Sequence, residues 1–399
     1  MPESITSPTH IEYGSKSFTA ILWSLFFAGF ASFSSLYCIQ PMMPIFAKFF
    51  HISPTHSSFP LSFSTVALAI GLLFTGFISD RFGRKPIMVC SLFLTSLLLL
   101  VSASFPIWEI FLVTRICIGL AVSGVVAVTM TYIGEEIAQK DIGLAMGLYI
   151  SGTAIGGMGG RLITGVLVDF ISWQSAMYIM GALNLLLACL FYILLPKSKH
   201  FKPFPFRFSR FTAAFETNLK DSKLRILFIL GFVLMGCFVT IFNYISYHLL
   251  GAPFHLSQTW IGLISVAYLV GIYSSPRAAK WGLKYGRDKV LSLSLLSMMI
   301  GLCITFIPSL WATALGLLIF TFSFFAGHST ASSWVSVQAV QYRAVASSLY
   351  LFSYYVGSSL LGSSGGLLWE NFGWNGIVVS ISTVLFIGAL LSLRIRKRA

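Results

Sequence analysis

The sequence predicts an all-α membrane protein of twelve transmembrane helices in two pseudo-symmetric six-helix bundles. Three observations carry that prediction: too little charge for a soluble surface, twelve apolar runs of membrane-crossing length, and a repeat relating the two halves. Of 399 residues, 56% are hydrophobic and 10% charged, with mean hydropathy +0.86. A soluble domain carries about 25% charged residues, so much of this surface must face lipid.

About 20 apolar residues cross a hydrocarbon core of roughly 30 Å. On that measure the spans fall at 18–46, 57–79, 87–104, 108–134, 143–168, 173–195, 226–250, 257–278, 290–307, 310–337, 345–368 and 374–393. Short turns separate them, except for a long polar stretch after Pro196. The expected organisation is a first bundle over 1–195, a basic linker over 196–224 and a second bundle over 225–399.

The charges orient the chain. Of the 26 Lys and Arg residues, all but Lys48, Arg115 and Arg161 fall in segments on the side of the N-terminus. Basic loops stay in the cytoplasm, so both termini are expected there, with the net charge of +14 attracting anionic lipid headgroups. Basic residues scattered over turns at one face do not form a nucleic-acid site. The six cysteines sit in apolar runs without a C-x-x-C pair, which speaks against disulfides and metal sites. No cofactor is expected.

The halves repeat. Gly165-Val-Leu-Val-Asp169-Phe-Ile-Ser-Trp173 aligns with Gly366-Leu-Leu-Trp-Glu370-Asn-Phe-Gly-Trp374, and Gly83-Arg84 with Gly286-Arg287. Parallel six-helix halves joined by a linker describe a rocker that exposes a midplane site to each side in turn.

The turn between spans 2 and 3 reads Gly76-Phe-Ile-Ser-Asp80-Arg81-Phe82-Gly83-Arg84-Lys85. Here the chain resembles the major facilitator superfamily, whose pattern is G-x-x-x-D-R-x-G-R-[KR]. The resemblance implies that Asp80 latches the halves together in the outward-facing state, at the positive N-terminal end of the eleventh helix. The C-terminal copy has Leu283 and Lys284 in place of the aspartate and first arginine, so only the N-terminal copy should latch. A plain positive-inside loop is the alternative. Arg115-Ile-Cys-Ile-Gly119 resembles the family's R-x-x-x-G element. Gly152-Thr-Ala-Ile-Gly156-Gly157-Met-Gly159-Gly160-Arg161 resembles the glycine-rich fifth helix of its antiporters, with Gly157 replacing a proline. These glycines should let that helix pack closely on a neighbour, expected to be the eighth. Tyr37-Cys-Ile-Gln40-Pro41-Met-Met-Pro44 resembles the arabinose-efflux-permease-like group of drug:proton antiporters.

Arg115 and Arg161 lie roughly 10–12 Å below the outer surface at 1.5 Å per residue. A charge at that depth is a functional candidate by default, though backbone carbonyls of the first or second helix could equally hold it. The twelve acids all fall in loops, termini or span ends. Proton coupling would then use a carboxylate at the mouth, Arg115 through water, or His328, which as an imidazole titrates near neutral pH. A lone histidine within a span more often serves only as a hydrogen-bonding residue. Net positive groups without a buried acid point to neutral or anionic solutes over cationic drugs. Gln40, Asn243, Tyr244 and His328 sit on spans that line the cavity in the resembled family; Asn184, Tyr247, His248, Ser329 and Gln338 are further polar candidates. Phe201, Phe204, Phe206, Phe208 and Phe211 of the linker suggest a segment lying on the inner leaflet.

No H-E-x-x-H, G-x-S-x-G or G-x-x-x-x-G-K pattern supports an enzyme, and no extramembrane domain supports a receptor. The expected function is secondary transport of a small solute by a monomer, as proton-coupled efflux across a bacterial inner membrane. An importer of a sugar or organic anion is the alternative.

Overall fold

In a computed structural model, residues 10–201, 203 and 208–396 are described. The long helices are α1 (Lys16–Tyr37), α2 (Phe59–Phe82), α3 (Arg84–Ser104), α4 (Trp108–Glu136), α5 (Ile142–Leu167) and α6 (Trp173–Leu194), then α7 (Ser222–Leu250), α8 (Gln258–Tyr285), α9 (Arg287–Ile304) and α10 (Leu310–Gln338); all but α9, which opens on the charged Arg287, Asp288 and Lys289, are long and apolar enough on their own to cross a membrane. The last helical element, Arg343–Arg396, is two helices broken at Gly373 (φ 60°, ψ −152°), α11 (343–372) and α12 (374–396). Tyr350 and Gly388 both reach the same level of α7, at Gly231 and Val233, so the chain doubles back between them. Twelve spans result, in two six-helix bundles, and both ends of the described chain lie at one face, called here the termini face.

Local chemistry explains the helix ends. Ser15 and Ser172 accept from the backbone N–H groups of Phe18 and Ser175, and Asp221 from those of Lys223 and Leu224, which satisfies donors that a helix start leaves open. The turns α2–α3 and α8–α9 pass through Gly83 (φ 94°) and Gly286 (φ 98°), a backbone region that side chains resist. The repeated Gly-Arg pair therefore marks one turn used twice.

Two boundaries differ from expectation. The first span ends at Tyr37, not near residue 46, and a separate short helix, Met43–Phe49, follows. Pro41 has no N–H to continue the helix and disfavours helical backbone at Gln40. The eighth span runs on to Tyr285 instead of 278, with the Arg277 guanidinium 3.3 Å from the Tyr273 ring centre; its basic side chains reach the polar boundary from inside the helix.

The fifth helix also has another neighbour than expected. A Cβ on Gly152, Gly156 or Gly160 would strike backbone of Phe26, Phe30 or Ser34, all on α1. Against α8 it is Gly165 whose Cβ would lie 2.8 Å from the Gly262 Cα, and Met158 and Arg161 also meet that helix, at Ser265 and Tyr268. The glycines at 152, 156 and 160 thus serve packing within the first bundle, while the side of α5 that carries Met158, Arg161 and Gly165 meets the second. Gly157 faces elsewhere, towards Arg161 and Tyr37.

In the linker, Phe201 stacks under the Arg84 guanidinium at 5.3 Å, and a helix, Phe208–Lys220, leads into α7. Phe204 and Phe206 lie outside the described residues, and so do the side chains of Phe208 and Phe211.

Candidate functional site

The face opposite the termini is sealed by contacts between the bundles. Asp169, just past α5, accepts from the backbone N–H of Gln258 (3.1 Å) and Thr259 (2.8 Å) at the start of α8. Glu370, near the end of α11, accepts from the N–H (2.9 Å) and hydroxyl (2.7 Å) of Thr55, in the turn before α2. These are the two aligned acids of the internal repeat, and each caps a helix start of the opposite bundle. A carboxylate there meets open N–H groups and the positive end of the helix dipole. Partial burial, the largest single influence on Asp169, works against its charged form, yet hydrogen bonds from Thr259, Ser257 and Gln258 hold its carboxyl below the usual range. Ser62 and Ser359 exchange hydrogen bonds with each other's carbonyls, and Tyr247 bonds Ser57 at 2.7 Å. Gly366 touches Thr55 as closely as Gly165 touches Gly262.

Beneath this seal runs a buried polar chain. Arg161 donates from Nε to Gln40 Oε1 and from Nη1 to the Gly157 carbonyl (2.6 Å). Gln40 Nε2 donates to Asn243 Oδ1 at 2.6 Å, and Asn243 donates onward to the Gly362 carbonyl at 3.4 Å, which also accepts from Tyr244 at 3.0 Å. The chain joins α5 and the end of α1 to α7 and α11. It brings together four residues singled out from sequence: Arg161, Gln40, Asn243 and Tyr244. The Arg161 guanidinium also lies 4.3 Å from the Tyr37 ring centre and 4.7 Å from that of Tyr268, a geometry that offsets desolvation of the cation.

On the termini side of this roof opens a cavity of 520 Å³ between the bundles. Tyr37, Tyr149, Tyr268, Tyr350, Tyr354 and Tyr355 line it, together with His328 and a stripe of serines on α10. His328 Nδ1 lies 3.0 Å from Tyr350 Oη, and its ring is 4.6 Å from that of Tyr354. No Asp, Glu, Lys or Arg side chain lines the cavity; Arg161 lies behind its wall, against Tyr37 and Tyr268.

Arg115 stands apart. It is fully buried and donates to the carbonyls of Ser35 (2.9 Å), Leu36 (2.8 Å) and Pro60 (3.4 Å). Those acceptors sit where α1 ends and α2 begins, so Arg115 ties helices within the first bundle.

The Asp80 turn is likewise internal to that bundle. Arg84 is clamped by Asp80 (2.6 Å), Glu135 (2.7 Å) and the Ser79 hydroxyl (2.6 Å). Lys85 donates to the Tyr192 carbonyl at 2.8 Å, and also to that of Leu195. Arg81 and Phe82 point outward beside one another, 5.4 Å apart, and nothing crowds Gly76. Of the remaining polar candidates, Asn184 accepts from Ser34, His248 stacks on Trp374, Gln338 donates to Asp221 and Ser329 lines the cavity.

Sequence reasoning did not single out the tyrosines at 149, 268, 350, 354 and 355. A signal existed in Tyr350 and Tyr354, which share one helix face at i and i+4.

The sequence profile of the Major Facilitator Superfamily matches residues 25–361 and 227–399. The chain is 46% identical to the inner membrane transport protein YnfM of Escherichia coli K12, over 99% of this chain and 95% of that one. It is 42% identical to the MFS-type transporter YybF of Bacillus subtilis, over 96% and 95%. A more distant relative, the multidrug resistance protein MdtG of Proteus mirabilis, is 27% identical over 69% and 70%. Among solved structures, the nucleoside transporter NupG superposes with a TM-score of 0.78 at 16% identity, over 96% of this chain and 100% of that one. A bacterial homologue of the lysosomal transporter Spinster, described as inward-facing and occupied, also reaches 0.78, at 13% identity over 96% and 98%.

Proposed function

Because the chain belongs to the major facilitator superfamily of membrane transporters, we propose that it exports a small solute by alternating access, in exchange for protons, through the cavity beneath Arg161. The observation that carries this reading is the asymmetry of the seam: capped at the far face, and hollow from the polar roof towards the termini face. Basic residues concentrate at the termini face, which by the positive-inside rule is cytoplasmic. The conformation is then open to the cytoplasm, the state in which an exporter loads. Export is also favoured by the distant relative named for multidrug resistance.

For coupling, His328 is the group of choice. It is a titratable side chain on the cavity wall, bonded to Tyr350 and held in an aromatic stack. Arg115 spends its donors on carbonyls and stays charged in both states, so it serves as a strut. In the opposite state, Asp80 leaves its clamp in part to meet the start of α11, while Gly76 and Gly83 allow the approach and Arg81 and Lys85 stay at the headgroups. A monomer suffices, since each bundle provides half of the site.

Proton flux in sealed proteoliposomes, with a panel of drugs, sugars and organic anions, tests the reading for wild type and His328→Gln. Protons should move against the solute in wild type. The variant should keep solute–solute exchange while proton movement falls about tenfold or more. Solute flux without protons would reject antiport, and inward accumulation driven by the gradient would reverse the direction.

A further inference from the structure

The wall of the cavity constrains what can fill it. Its one neighbouring charge is Arg161, in the roof, which makes no ion pair with any carboxylate among the described residues. Two of its N–H groups go to neutral oxygens, and the rest of the guanidinium lies over Tyr37 and Tyr268. A buried cation without a counter-charge is a costly arrangement that an anion relieves. Tyr37 is buried and lines the cavity, yet its hydroxyl has no hydrogen-bond partner. Tyr268, also buried on that wall, has the Arg161 guanidinium beside its hydroxyl. These two phenols flank the guanidinium and stand between it and the cavity, which Arg161 itself does not line.

Away from those two phenols, one side of the wall is made of ring faces and the other carries the serines of α10. Phe324 stacks on Phe238 with ring centres 3.7 Å apart, Phe238 meets Tyr268 at 5.3 Å, and His328 lies nearly parallel to Phe324. A planar ring fits such a wall better than a saturated one. A sugar would instead call on free side-chain donors for its hydroxyls, but the two nearby amides, Gln40 and Asn243, are bonded to each other, and the α10 serines donate to carbonyls of their own helix. A cation would face Arg161 with no carboxylate to receive it.

We infer that the substrate is a small aromatic organic anion, its ring lying along Phe238, Phe324 and His328 and its acidic group held by Arg161 with the hydroxyls of Tyr37 and Tyr268. This rests on the transport reading, of which it names the substrate class.

Three naphthalene probes of matched shape separate charge from ring: 2-naphthoate, 2-naphthamide and 2-naphthylmethylammonium. Calorimetry on the purified full chain in detergent should find the carboxylate bound about tenfold tighter than the amide, and the ammonium not bound. Arg161→Gln should erase that preference. Tyr37→Phe, which removes one oxygen without a partner, should weaken the carboxylate about fivefold and leave the ligand-free melting temperature in place. Equal binding of carboxylate and amide, or tighter binding of the ammonium, would overturn the inference. Flux of the same probes in proteoliposomes keeps it separate from its premise. Transport of the amide or ammonium in preference to the carboxylate would sink the anion inference and leave transport standing. Tight carboxylate binding without any flux would do the reverse.

Discussion

The two faces of the seam between the bundles use acidic side chains in opposite ways. At the far face, Asp169 and Glu370 reach across to cap helix starts of the other bundle. At the termini face, Asp80 and Glu135 turn inward on Arg84 and hold α2, α3 and α4 of one bundle together. Crossing contacts set which side is shut; internal contacts make each half stiff enough to move as a body. A rocker needs both, and here each face supplies one.

The strongest way to break that contrast is to wedge the closed face. A side chain on Gly165 would meet Gly262 backbone, and one on Gly366 would meet Thr55. Neither neighbour is a flexible side-chain end, so something must shift. Overpacking of this kind costs about 1–3 kcal/mol, or roughly a 5- to 150-fold change in a two-state equilibrium. Gly165→Val and Gly366→Val should each favour the state open at the far face. With a reporter, Ser62→Cys, which is buried in that seam, an impermeant maleimide applied from outside should label both variants faster, by about tenfold or more, rates being taken relative to an exposed cysteine at the same pH because only the thiolate reacts. Unchanged labelling would mean that these glycines do not set the closed state.

That the seam sits at these glycines was half legible in the sequence. The repeat aligned Gly165 with Gly366 and Asp169 with Glu370, because pseudo-symmetry preserves residues that do the same job twice. What each one touches belongs to the other bundle, 89 residues away for Asp169 and 315 for Glu370, and no local pattern encodes it. The same limit explains the fifth helix. Glycine spacing announces a close neighbour but not which one, and the structure supplies α1. The number and order of spans were readable because bilayer thickness acts on every helix separately. The end of the first was not, since an apolar run continues past Pro41 and only backbone chemistry stops it. Arg115 and Arg161 look alike in sequence, at similar depth in adjacent spans. They part company only because the chain ends around Arg115 offer free carbonyls, while those near Arg161 offer Gln40 and aromatic faces.

A gentler change sharpens the same contrast. Asp169→Asn and Glu370→Gln keep shape and remove charge, weakening caps that sit near solvent; each should be worth about 1 kcal/mol or less, a few-fold rise in labelling at Ser62→Cys. The two caps close one seam, so their double variant should fall short of the product of the single effects. Acid should imitate the first substitution. The Asp169 carboxyl titrates below its ordinary value when capped, so its contribution to the closed face is complete above an ordinary carboxylate pKa near 4 and is lost as pH falls through the lower, capped value. Labelling of the reporter should therefore rise in that acidic window, and Asp169→Asn should remove that part of the rise. A flat profile in the wild type would show that the cap does not bias the seam.

The smallest expected effect has the opposite sign. Asp80 is one of two carboxylates on Arg84, and Glu135 engages the same guanidinium through both Nε and Nη2. Asp80→Asn should therefore cost the described state about 0.5 kcal/mol or less, because the clamp keeps its second jaw and Asp80 is partly exposed. If Asp80 caps α11 when the far face opens, its removal weakens that other state more than this one. Labelling at Ser62→Cys should then fall by a few-fold, where Asp169→Asn raises it. Opposite signs from two aspartate-to-asparagine changes at opposite faces are hard to obtain from general destabilisation, which would move both the same way. Labelling that rises in both variants would assign Asp80 to the internal clamp alone, and the far-face acids would be left as the crossing latches of the seam.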